Sequence, residues 1–269
     1  MNWRSIGGVV RRDLAVVARS RPAVLPIIML PLIFFVLLPV LTSWAIPAGA
    51  AELDELLPLI NAMPQSIREQ LGDGPIEGII LRYLFEFQFV SLFLIVPLMV
   101  AAVIAADSLA GEKERKTIEA LLYTPTTDLE LYLAKLLGPW LAAIGVATFG
   151  YVLFVVAANV TAPAVVTRPI AVNSLWIVTL VWLNPAVAAL ALGTLVMVSA
   201  RVRGFMEAYQ LGATIVLPVV LLMIAQFSGL LFLDAGLAVV IGAVTWIVAL
   251  GILRLGYRWF RRERLLLTS

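Results

Sequence analysis

The chain has 269 residues, 62% of them hydrophobic and 13% charged, with a net charge of +2 and a mean hydropathy of +1.03. Globular chains average about 45–50% apolar residues, so a water-soluble fold is excluded, and apolar runs of roughly 20 residues, enough to cross a bilayer, recur along the sequence. Neither Cys nor His is present, which removes disulfides, thiol nucleophiles, Cys/His zinc or haem sites and imidazole acid–base chemistry.

Residues 1–21 read as an amphipathic helix. At 100° per residue Trp3, Ile6, Val10, Leu14 and Val17 share an arc, and Arg4, Arg11, Arg12 and Arg19 lie opposite. Such a helix is expected in the membrane interface, its arginines on anionic lipid or on a cytoplasmic partner. The apolar run over 22–46 is too long for the core of a signal peptide and lacks a cleavage site, so it reads as a retained first span. Pro26, Pro31 and Pro39 predict that this span is kinked or broken.

Residues 47–83 form a polar segment on the far side of the membrane. Glu52, Asp54, Glu55, Glu69, Asp73 and Glu77 face only Arg68 and Arg82 in composition. Two short helical pieces are expected here, broken at Pro58 or Pro64 and closed by the Gly72–Pro75 turn. The segment is too short for an independent domain. It reads as a cap on the outer mouth, with its acids making a solvated face rather than a cation site. The second span follows over 84–107.

The stretch "DSLAGEKERKTIEALLYTP" then runs from Asp107 to Pro125. Asp107, Glu112, Lys113, Glu114, Arg115 and Lys116 crowd six charges into ten positions. It is not a phosphate loop, because the second Gly of G-x-x-x-x-G-K-[ST] is missing. Glu112 with Lys116 and Arg115 with Glu119 are spaced i, i+4, so they pair along a helix. Thr124–Pro125 stops that helix, and Thr127 to Glu130 forms a capping box that opens another. The loop over 108–135 therefore reads as helix, turn, helix. Its mixed charge and apolar face suit docking on another protein.

Four more spans are expected, over 136–160, 174–200, 207–228 and 235–256. Pro97, Pro185 and Pro218 suggest local bends in the second, fourth and fifth. Gly138, Ala142 and Gly145 mark close helix packing in the third. With six spans the termini share a side. Of the 19 Lys and Arg, only Arg68, Arg82 and Arg168 fall on the other side, which makes both termini and the 108–135 loop cytoplasmic. Ionisable residues inside spans are functional candidates, because placing one in lipid costs at least about 2.5–3.5 kcal/mol. Glu86 and Gln88 sit near the outer end of the second span, and Asn184 and Gln226 are isolated. Arg203, Glu207, Gln210 and Thr214 make a polar stripe entering the fifth span, suited either to a translocation path or to a helix–helix or dimer seam.

The charged stretch resembles the signature of type-2 ATP-binding-cassette permeases, the membrane subunits of exporters. The matching positions are Asp107, Gly111, Glu112, Lys113, Glu114, Arg115, Thr117, Glu119, Leu121, Leu122, Thr124 and Pro125. Lys135 matches a lysine that often opens the third span. The resemblance implies an all-α polytopic protein of six transmembrane helices in the cell membrane. It implies two permease subunits, the second a copy or a paralogue, and separate P-loop ATPase subunits that bind ATP and Mg. This chain itself would hold no cofactor or metal and would not be an enzyme. Glu112, Glu114, Arg115 and Glu119 would then meet the ATPase, with Asp107 anchoring the second span to that contact. Candidate substrates are lipids, glycan precursors, drugs, peptide antibiotics or sodium, and the weakly polar spans favour an amphipathic or hydrophobic one. Two alternatives stand beside it: an ion-coupled secondary transporter using Glu86 and Glu207, and a non-transporting membrane anchor for an ATPase. A membrane-embedded enzyme would need a carboxylate pair or a Ser–Lys arrangement, and Lys is confined to the cytoplasmic side. Nothing points to nucleic acid.

Overall fold

The computed structural model describes residues 3–49, 57–108, 127–162, 166, 169–170, 172–199 and 205–259. Every regular element among them is helical. Six helices are long and apolar enough to cross a membrane: Ala23–Ala48, Ile76–Ala106, Asp128–Thr161, Ser174–Ser199, Met206–Phe227 and Ala235–Arg258. In chain order these are the first to sixth spans. The expected all-α, six-span architecture is therefore present.

The second span is the axis of the bundle. Its most apolar stretch is 83% buried, against 17% for the first and sixth spans. A helix that is apolar all round can sit at a core, whereas one facing lipid on one side needs protein only along a stripe. The helix begins at Ile76, well before residue 84, because the turn at Gly72 to Pro75 releases the chain straight into it. Gly72 takes φ 73°, a left-handed conformation that favours glycine. The helices Leu57–Ala62 and Gln65–Leu71 precede that turn. The break between them falls at Pro64, while Pro58 sits in the first turn of its helix, where a missing N–H is harmless. Met63, Ile67 and Leu71 are buried in the common core, so this segment is packed onto the bundle.

The prolines act through helical pitch. Wide, π-type turns occupy Ile33–Leu37 and Thr179–Leu183, just ahead of Pro39 and Pro185. A proline ring collides with the carbonyl four residues back and has no N–H to offer it; a widened turn moves that carbonyl aside. Pro218 is accommodated the opposite way, by the tightened turn Thr214–Val216. The first span is thus one helix with a wide turn. Pro97 lies inside the uninterrupted helix Phe89–Ala106.

The N-terminal helix, Trp3–Arg19, is amphipathic as expected. Its apolar arc is turned to protein: Ile6 and Val17 are buried, and Val10 lies against Gly138 of the third span, where a Cβ would stand 3.5 Å from the valine methyl. Only Trp3 of that arc is well exposed. Gly138 thus does mark close packing. Gly145 faces open space, and Gly150 is the tighter point, where a Cβ would stand 2.0 Å from the Phe35 ring of the first span.

Candidate functional site

Two polar clusters occupy opposite ends of the bundle, joined by the second span. The first lies beside the N-terminal helix. Asp107 and Ser108 end the second span and are both buried. Thr127 accepts a hydrogen bond from the Glu130 backbone N–H at 3.3 Å, and the Glu130 carboxylate accepts from the Thr127 N–H at 3.1 Å. This capping box opens a helix where the sequence indicates one, but the helix runs unbroken over Asp128–Thr161, so the third span begins at Asp128 rather than at the expected 136, and the box fixes which way Lys135 points, two turns later. The Lys135 ammonium is turned inward. It meets the Asp13 carboxylate at 2.8 Å and donates to the Ser108 carbonyl at 3.0 Å. Arg12 approaches the other oxygen of Asp13 at 3.3 Å. The Tyr132 hydroxyl donates to the Leu253 carbonyl at 2.6 Å, which brings in the end of the sixth span. Gly111, Glu112, Lys113, Glu114, Arg115, Thr117, Glu119, Leu121 and Pro125 lie outside the described residues, as does Arg203.

The second cluster surrounds another wide turn, Leu84–Gln88. No proline follows it closely. A wide turn loosens the regular ladder, and side chains from the start of the fourth span and the residue just before it take up its carbonyls. The Trp176 indole donates to the Phe85 carbonyl at 3.1 Å, and Asn173 donates to the Glu86 carbonyl at 3.4 Å. The Glu86 side chain is paired with Arg82 one turn earlier at 3.1 Å. Arg82 also donates to the Leu71 carbonyl at 2.9 Å and reaches the Gln70 carbonyl at 3.5 Å. These are carbonyls at the C-terminus of the helix Gln65–Leu71, where a cation is favoured. Arg82 therefore clamps the 57–71 segment to the second span.

Arg82→Met should loosen that clamp. A buried ion pair that loses one member costs up to about 3–5 kcal/mol; at this partly wetted end about 2 kcal/mol is expected. Tryptic cleavage after the exposed Arg68 should then accelerate on the order of tenfold in the native membrane, and limited proteolysis checks it.

The remaining candidates separate. Gln226 is not isolated: it is buried and hydrogen-bonded to Ser91 of the second span. Gln88, Thr179 and Asn184 are buried, and their side-chain polar atoms have no hydrogen-bond partner among the described residues. Glu207, Gln210 and Thr214 are exposed along one face of the fifth span, continued by exposed Leu217, Leu221 and Ile224. Glu86 and Glu207 do not come together; they lie at opposite ends of the bundle.

Asp13 is the residue the sequence reading passed over. The signal was there: it is the sole acid in residues 1–51, and it falls on the apolar arc, three residues from Val10 and seven from Ile6. Arg82, read as one of three far-side cations, carries more structure than that count implied.

The family model described as "ABC-2 family transporter protein" matches residues 8–264. No curated protein matches the chain.

Proposed function

The chain belongs to the ABC-2 family of transporter proteins, which its match over residues 8–264 establishes, and on that premise we propose that it is the permease subunit of an ATP-driven exporter. A separate P-loop ATPase subunit binds ATP and Mg beneath it. The 108–135 segment is the coupling element, with Glu112, Glu114, Arg115 and Glu119 meeting the ATPase and Asp107 tying the second span to that contact. Both termini are cytoplasmic, and the protein sits in the cell membrane.

One observation carries this reading. The second span is a single helix, buried almost throughout. It ends at Asp107 and Ser108, where the coupling segment starts, and its other end holds the Arg82–Glu86 clamp on the capping segment. A stiff helix between a driven end and a latched end can convert a push below into release above, provided the bundle has two discrete packings. Gln88, Thr179 and Asn184 support the same picture. An unpartnered buried polar group is costly, and these groups gain water or substrate when the spans part. The exposed Glu207, Gln210 and Thr214 face favours a seam with a second permease copy. The separation of Glu86 from Glu207 counts against a shared ion-coupling site.

The test is purification of the tagged chain in mild detergent from its native host, with co-purifying proteins identified by mass spectrometry. A P-loop ATPase should be retained, and Glu114→Ala or Arg115→Ala should lower its retention or its ATP turnover on the order of tenfold. If no ATPase associates with the unaltered chain, the reading is wrong.

A further inference from the structure

Lys135 behaves unlike an ordinary lysine near a helix end. Such side chains extend along the apolar surface and place the ammonium in water. Lys135 is only 2% exposed and Asp13 only 4%, and they meet at 2.8 Å. The same ammonium holds the Ser108 carbonyl at 3.0 Å. Three elements are therefore joined at one cation: the N-terminal helix through Asp13, the start of the third span through Lys135, and the last turn of the second span through Ser108. The coupling segment, residues 108–135, begins at that same Ser108.

Cohesion alone does not call for such a joint. A buried ion pair is often no more stabilising than well-packed apolar residues of the same volume. What it adds is direction. The pair is favourable only when its atoms are in register, so the joined elements keep one relative placement and move together. The N-terminal helix passes into the first span across the single residue Ser20, so whatever moves that helix also moves the first span.

We propose that Asp13 and Lys135 are positioning residues of the coupling apparatus. They make the N-terminal helix move as one body with the coupling segment, so that a push from the ATPase reaches the first span as well as the second and third. The inference rests on the permease reading above and adds a route to it.

The chain contains no cysteine, so reporters enter on a clean background. Gly74→Cys, at an exposed position with open space around it, reports on the segment leading into the second span. Ala48→Cys, exposed at the end of the first span, reports on that span. Each is reacted with a thiol reagent in the complete complex, with and without trapping by ATP and vanadate. With the native pair, trapping should change both rates, on the order of tenfold for a coupling of this strength. In Asp13→Leu/Lys135→Met the Gly74→Cys response should persist, and the Ala48→Cys response should fall to about onefold. Should that double variant fail to assemble, Asp13→Asn/Lys135→Gln removes both charges and keeps polar side chains of similar shape, and the same selective weakening is expected. If both reporters respond in these variants as they do with the native pair, the inference is overturned and the permease reading stands. If neither responds even with the native pair, the permease reading fails first and takes the inference with it.

Discussion

Lys135→Met is expected to remove about 3–5 kcal/mol of stability, and adding Asp13→Leu to the same chain is expected to return most of it. The single change leaves the Asp13 carboxylate in a site where it is 4% exposed, without the ammonium that meets it at 2.8 Å. Arg12 reaches its other oxygen, but at 3.3 Å and from a half-exposed side chain, so it replaces little of the lost interaction. The Ser108 carbonyl also loses a donor, which costs about 1–3 kcal/mol where no water can enter. The double variant removes both charges and leaves only that carbonyl and a small packing error. Thermal denaturation in detergent, followed by the loss of the monodisperse peak, measures the difference. A double variant as fragile as the single one would show that the pair is not the source of the stability.

The six spans were legible because run length is a strong signal. Nothing but a membrane helix or a buried core helix needs 20 apolar residues in a row, and six such runs exceed what a core of this size can hold. Pitch was not legible. Pro39 and Pro185 look alike in sequence to Pro97, yet two follow wide turns and one sits in regular helix. The choice depends on whether neighbouring spans can use the freed carbonyls, which is tertiary information. Leu84–Gln88 makes the point without a proline: its wide turn is matched by Trp176 and Asn173, whose bonds span 91 and 87 residues of chain.

The polar residues divide in the same way. The capping box at Thr127 and Glu130 was readable because its two bonds span three residues. The Ser91–Gln226 and Asp13–Lys135 partnerships were not, since each joins separate spans or helices and a residue type says nothing about its distant partner. The amphipathic arc of the N-terminal helix is legible as apolar, but an apolar face does not declare whether lipid or protein covers it. Asp13 on that face was the available hint. An acid there is tolerable only beside a cation, and Lys135 is the one cation in the third span.

Trp176→Ala is expected to cost on the order of 3 kcal/mol, and Trp176→Phe about 1 kcal/mol. The Trp176 ring is fully buried and lies 4.9 Å from Phe154, 5.2 Å from Phe93 and 5.3 Å from Tyr151, centroid to centroid. Removing it leaves a cavity between the second, third and fourth spans. In a membrane the transfer of the side chain out of water no longer contributes, because the separated helices would bury it in lipid. The lost packing remains, since rings already in contact with one another cannot all close on the gap. Phenylalanine keeps most of that packing and deletes the indole N–H, so it isolates the bond to the Phe85 carbonyl at 3.1 Å. That bond should matter more than its distance implies, because the wide turn has left the carbonyl without regular helical geometry. If the wide turn depends on the bond, Trp176→Phe should also weaken the neighbouring Arg82 clamp, which holds the adjacent turn. Denaturation midpoints measure the first effect, and tryptic cleavage after Arg68 measures the second. A Trp176→Phe variant with native cleavage kinetics would show that the turn is held by ring packing alone.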